Sequence, residues 1–251
     1  MRLLDRVAII TGAGNGIGRE IAKAYAQEGA KVVVSDYIQE AGIETANIIT
    51  QAGFEAIFVP ADVAKEADIE NLIAATVEKY GSVDILVNNA GISGGLADLN
   101  DISAEDWDHV MAVNLRAPFL ASKSAFREMS KKGKGNIINI GSMASLAAGR
   151  GGLPYTASKH GVLGLTKQLS FMVGSRGVRV NAILPGPIDT DMIKRVLAMP
   201  EHPVCKKIAA SPAGRAGLPE EIAKLAVFLA SDDSAFIHGA AFEIDGGYTI
   251  F

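Results

Sequence analysis

The chain has 251 residues, 49% of them hydrophobic and 21% charged, with a formal net charge of −4. That balance fits an ordinary soluble globular chain with one large core or two small ones, and it argues against nucleic acid or an anionic membrane surface as partner. Cys205 is the only cysteine, which excludes an internal disulfide and fits a reducing, cytoplasmic setting.

The opening residues carry charges before any apolar run, so no secretory signal is read there, and no stretch reaches the roughly 18 apolar residues that a membrane span needs. Residues 7–11 are β-branched, apolar and bounded by glycine, the pattern of a buried strand. A glycine-rich turn follows, with Gly12, Gly14, Gly16 and Gly18, and then a helix that Gly29 ends. Strand, glycine turn and helix N-terminus make an anion site, where free backbone N–H groups face a pyrophosphate that glycines let approach closely. Residues 31–35 form a second strand with Asp36 at its carboxyl end. A carboxylate about 20 residues past the glycines can hold both ribose hydroxyls of an adenosine and would repel a 2′-phosphate. Tyr37 adds no cation there, so the preference predicted is NAD over NADP.

The rhythm repeats with a helix over 38–52, a strand over 56–59 leading to Asp62 and Val63, a helix over 65–80, and a strand over 84–88 running into Asn89, Ala90 and Gly91. Strands alternating with helices predict a parallel sheet of about seven strands with helices on both faces, a doubly wound Rossmann-type α/β fold whose ligand lies beyond the carboxyl ends of the strands. One long helix is expected over 103–132, capped by Ser103, with Asn114 among apolar neighbours in its middle and Lys131, Lys132 and Lys134 as solvated charge at its end. A fifth strand over 135–141 ends at Ser142. Pro154 is read as a stop, with a helix from Tyr155 to about residue 176, and a sixth strand over 178–184 ends in Pro185 and Gly186. The segment 188–218 departs from the rhythm and is apolar, a lid candidate inserted in one domain spanning 1–251. His109, His160, His202 and His238 are scattered without ligand-like spacing, and no metal site is expected.

Tyr155 and Lys159 stand four apart on the helix that begins after Pro154, so both side chains share one face. A phenol with pKa about 10 is a poor base at neutral pH, and an ammonium beside it favours the phenolate. Such a pair can take a proton from an alcohol or return one to a carbonyl. Any long helix offers such pairs, so the pair by itself also fits a surface accident.

The order and spacing of residues 11–18, 88–91, Asn114, Ser142, residues 155–159 and residues 185–190 resemble the short-chain dehydrogenase/reductase family, and the resemblance covers nearly the whole chain. It implies that Tyr155 is the general acid/base, that Lys159 lowers its pKa and holds the nicotinamide ribose, that Ser142 bonds the substrate oxygen, and that Asn114 anchors a water in a proton path. It further implies that Gly12, Asn15, Gly16, Ile17 and Gly18 line the pyrophosphate and nearby ribose, with Asp62 and Val63 at the adenine. Asn89, Ala90 and Gly91 would flank the adenosine side, and Ile188 and Thr190, beyond Pro185 and Gly186, would meet the carboxamide. A homotetramer is the family expectation.

The activity so implied is NAD-dependent interconversion of a secondary alcohol and a ketone. Two rivals are a 3-oxoacyl-(acyl-carrier-protein) reductase, opposed by Asp36 and by the apolar run at residues 169–173, and a catalytically silent nucleotide-binding regulator. The apolar 188–218 segment and Gly94, Gly95, Gly149, Gly151 and Gly152 point to an uncharged, small or cyclic substrate, with Arg150 leaving room for an anionic or polyol one.

Overall fold

The computed structural model describes residues 1–250. Seven parallel strands form one sheet: β1 (Val7–Thr11), β2 (Lys31–Asp36), β3 (Ala56–Pro60), β4 (Ile85–Asn88), β5 (Gly135–Ile140), β6 (Val178–Pro185) and β7 (Ala241–Ile244). They lie in the order β3-β2-β1-β4-β5-β6-β7, so the strand order reverses between β1 and β4. At that point the loops after β1 and β4 diverge to opposite faces and leave a crevice at the carboxyl edge.

The helices are α1 (Gly16–Gln27), α2 (Gln39–Gln51), α3 (Glu66–Tyr80), α4 (Ala104–Met111), α5 (Ala117–Lys132), α6 (Leu153–Val173), α7 (Lys194–Leu197), α8 (Pro203–Ala210) and α9 (Pro219–Ala230). Two apolar clusters fill the two faces. Ala8, Ile10, Val32, Val34 and Ile138 join Ile21 of α1 and Ile222 of α9 on one side, whereas Ile9, Val33, Leu86 and Ile137 join Leu72 of α3 and Met129 of α5 on the other. Successive residues of β1 alternate between these clusters because strand side chains point to opposite faces. With both faces covered, β1 has no exposed residue, which is why it reads as an unbroken apolar run.

Two helix boundaries differ from the sequence reading. The helix expected over 103–132 is interrupted by a π-turn at Ala112–Arg116, where the Ala117 N–H bonds back to the Ala112 carbonyl. Pro118 offers no N–H for a bond to the Asn114 carbonyl, so the widened turn places the gap in the ladder at Asn114. Ser103 caps α4 as expected, its Oγ accepting from Asp106 N at 3.0 Å. The Tyr155 helix opens earlier, at Leu153, because Pro154 sits in its first turn, where a missing N–H costs nothing. The lysines after α5 are also more than solvated charge, since Lys132 pairs with the buried Asp84 carboxylate and Lys134 lies 3.0 Å from Asp232.

Candidate active site

A cavity of about 1000 Å³ opens at the carboxyl edge of the sheet. On its β1 and α1 side lie Gly12, Asn15, Gly16 and Ile17. Gly12 has φ +62°, a region where a side chain would be strained. No side chain caps α1 and no acidic residue occupies its first turn, so the helix begins with donors and positive dipole facing the cavity. That arrangement fits a pyrophosphate.

Gly18 does not line the cavity. A Cβ there would overlap the Gly12 carbonyl oxygen and stand 2.5 Å from Asn89 Nδ2, so this glycine lets α1 pack onto the turn that carries the ligand-facing donors. Thr11 Oγ1 accepts from the backbone N–H groups of Asn89 and Ala90 at 3.1 and 3.2 Å, and Asn89 Nδ2 donates to the Thr11 and Gly12 carbonyls at 2.9 Å each. The two loops of the crevice are thereby laced together.

Asp36 lines the cavity at the end of β2, with its carboxylate accepting from Gly14 N and Ile38 N at 2.8 Å each. Those bonds fix the orientation of the carboxylate on the cavity wall. Arg19, a cation near the glycine turn, is committed to the Gly14 carbonyl at 2.8 Å and to Glu44 at 2.7 Å. Tyr37, Asp62 and Val63 continue this end of the cavity, and Ala90 and Gly91 form its floor.

At the other end stand Ser142, Tyr155 and Lys159. Ser142 follows β5 and caps a short turn, its Oγ accepting from Ala144 N at 3.1 Å while Ser145 Oγ accepts from Ser142 N at 3.3 Å. Burial raises the Tyr155 pKa, and the neighbouring Ser142 side chain opposes the shift only in part. The lowering of the phenol expected of Lys159 does not appear in the protein alone, where loss of water sets the direction. Lys159 Nζ lies 5.6 Å from the Tyr155 ring centre and donates to the Ile140 carbonyl at 2.9 Å, and burial pulls its pKa down to about 8.

Asn114 sits behind this group and does not line the cavity. Its Oδ1 accepts from Ile92 N at 2.9 Å, and its Nδ2 donates to the Ile92 carbonyl at 2.9 Å and to Ser158 Oγ at 3.2 Å. It joins the loop after β4 to α6. Asn114 Oδ1 and Lys159 Nζ converge over Gly91, within 3.4 and 3.5 Å of where a Cβ would stand. Pro185 at the end of β6, with Gly186, Ile188 and Thr190 beyond it, closes the cavity beside the turn that holds Gly16. Of the glycines expected around the substrate, Gly95, Gly149, Gly151 and Gly152 line it and Gly94 does not. Sequence reasoning missed His202 and Tyr248, which also line it. Tyr248 arrives from the turn after β7, and no local pattern marks it.

Residues 12–249 match the family model described as enoyl-(acyl carrier protein) reductase. The chain belongs to the short-chain dehydrogenase/reductase family. It is 42% identical to 2-(S)-hydroxypropyl-CoM dehydrogenase 3 of Xanthobacter autotrophicus over 99% of this chain and 98% of that one. It is 40% identical to a 3-oxoacyl-(acyl-carrier-protein) reductase of Chlamydia trachomatis, covering 98% of each. The solved structure of a putative NAD(P)-dependent gluconate 5-dehydrogenase from Beutenbergia cavernae, with bound NADP at low occupancy, superposes with a TM-score of 0.92 at 39% identity, over 99% of this chain and 98% of that one. The chain is thus an oxidoreductase of the family that acts on alcohol and ketone groups with a nicotinamide cofactor. Among the described residues no helix is long and apolar enough to cross a membrane.

Proposed function

We propose that this dehydrogenase/reductase interconverts a secondary alcohol and a ketone with NAD as its preferred cofactor and Tyr155 as general acid/base. The observation that carries the reading is the convergence of Ser142, Tyr155 and Lys159 on the cavity that Gly12, Gly16 and Asp36 line at its other end. A regulator without activity would have no use for that constellation. Asp36 supports NAD, because its fixed carboxylate would repel a 2′-phosphate. NADP in the gluconate dehydrogenase-like structure is a property of that protein.

The bound nicotinamide supplies or receives the hydride. Ser142 Oγ and Tyr155 Oη bond the substrate oxygen and orient the reacting carbon. In oxidation the Tyr155 phenolate takes the hydroxyl proton, and in reduction the phenol returns it to the forming alkoxide. Lys159, with its pKa near 8, stabilises that phenolate electrostatically and exchanges protons close to neutrality. Asn114 holds the Ile92 backbone and Ser158, and its Oδ1 and Lys159 Nζ both approach the space over Gly91, where a relay water would link them. Segment 188–218, with α7 and α8, covers the substrate end as a lid.

The exposed apolar side chains Phe171 and Met172 of α6, at 85% and 54%, and Phe236, at 100%, support a homotetramer, checked by light scattering. The acyl-thioester reading stays in the assay because of the Chlamydia relative. Alcohol and ketone panels, including a 3-oxoacyl thioester, would be followed at the NADH absorbance with NAD and NADP in parallel. Tyr155→Phe is expected to lose about 10²- to 10⁴-fold in turnover while keeping NADH affinity. Full turnover in that variant would refute the mechanism, and a wild-type preference for NADP would refute the role of Asp36.

A further inference from the structure

Arg150 lines the same cavity between Ser142 and Tyr155 in the chain, and the mechanism gives it no task. The loop that carries it passes against the catalytic phenol, since a Cβ on Gly151 would stand 2.6 Å from Tyr155 Cδ1. The guanidinium carbon lies 5.2 Å from the centre of the buried Tyr248 ring, and Lys207 Nζ lies 4.9 Å from the same ring. The Arg150 charge partly opposes the rise that burial gives the Tyr248 pKa.

Its Nε–H is buried without a hydrogen-bond partner, and among the described residues no carboxylate pairs with the guanidinium. A guanidinium on the cavity wall with no carboxylate beside it is completed by an oxyanion bound there. The cation–π contact with Tyr248 keeps the guanidinium at the cavity wall, and its planar fork is the shape that matches an oxyanion. His202 adds a donor on the same wall, because its Nδ1 accepts from Val204 N at 3.2 Å and so leaves the proton of the neutral ring on Nε2. The carboxylates lining the cavity are Asp36 and Asp62, at the adenosine end, and Asp191, whose side chain is 76% exposed and 4.0 Å from Lys194.

We infer that Arg150 is the anion anchor of the substrate half of the cavity, so that the alcohol or ketone taken here carries an oxyanionic group, a carboxylate being the simplest, away from its reacting carbon. This replaces the wholly uncharged substrate expected from the apolar lid and flanking glycines, and it rests on the dehydrogenase reading above.

The test does not depend on knowing the substrate. Enzyme loaded with NADH would be titrated calorimetrically with benzoate and with benzamide, which share shape but not charge. Benzoate is expected to bind at least about tenfold more tightly, with an affinity that falls as salt rises. Arg150→Met should abolish the preference and Arg150→Lys should keep part of it, with NADH affinity in both variants reporting an intact fold. Equal affinities in the wild type, no binding of either probe, or a preference that survives Arg150→Met would overturn the inference. Failure of NADH to bind would instead count against the proposed function.

Discussion

Asn114 is the side chain whose removal the structure prices most directly. It is 1% exposed and makes three hydrogen bonds, two of them to the backbone of Ile92 and one to Ser158. In Asn114→Ala the Ile92 N–H and carbonyl lose those partners at a part-buried position, at about 1–2 kcal/mol for each group. Ser158 keeps its own bond to the Tyr155 carbonyl at 2.7 Å, so its loss adds little. The sum is about 2–4 kcal/mol, and for a chain of this size each kcal/mol moves Tm by about 2–4 °C. A fall of roughly 4–16 °C in a thermal melt, at matched protein concentration, is therefore expected. Turnover should fall as well, because the freed loop follows Gly91 directly, whereas Asn114→Asp, which keeps the acceptor for Ile92 N, should recover part of the melt. An Asn114→Ala protein that melts within a degree or two of the wild type would refute the cross-tie and leave Asn114 only a proton-path role.

Three further outcomes are expected. Gly18→Ala should lower both stability and NAD affinity, read by melting and calorimetry, because the new methyl meets the Gly12 carbonyl and forces the turn away from α1; unchanged NAD affinity would contradict the packing role. Lys159 has a folded pKa of about 8 against an ordinary 10.5, so the unfolded chain binds more protons between those values and the burial cost of its charge is relieved as pH rises through that window. Chemical denaturation of wild type minus Lys159→Met should show the wild type gaining stability from pH 8 to 10.5, and a flat difference would refute it. With Tyr155 raised by burial, kcat/KM for alcohol oxidation should climb into the alkaline range, and ketone reduction should hold at neutral pH and fall only above it; a reduction rate that rises with pH would exclude Tyr155 as the acid.

Much of this architecture was legible in one dimension. The apolar runs at β1 and β2 and the glycine turn before α1 declare buried strands and an anion-binding helix start, because periodicity and backbone freedom are local properties. The same holds for Asp36 at a strand end and for Tyr155 and Lys159 one helical turn apart. The π-turn had a readable sign in Pro118, and the earlier start of α6 had one in Pro154, since each follows from a missing N–H. Other features are products of assembly. Gly18 looks like a cavity glycine in the turn and proves to be a packing glycine, because which face meets the ligand depends on how α1 lies on the sheet. Tyr155 carries a raised pKa because burial, a sum over everything that excludes water, exceeds what Ser142 contributes. Tyr248 reaches Arg150 from nearly a hundred residues away, and the buried, partnerless Nε of Arg150 has no counterpart in sequence. Residue types and their spacing thus determined the fold of this protein and which side chains are candidates for its chemistry. Tertiary packing alone decided the burial, the charge states and the substrate wall, because those depend on what surrounds a side chain rather than on what precedes it.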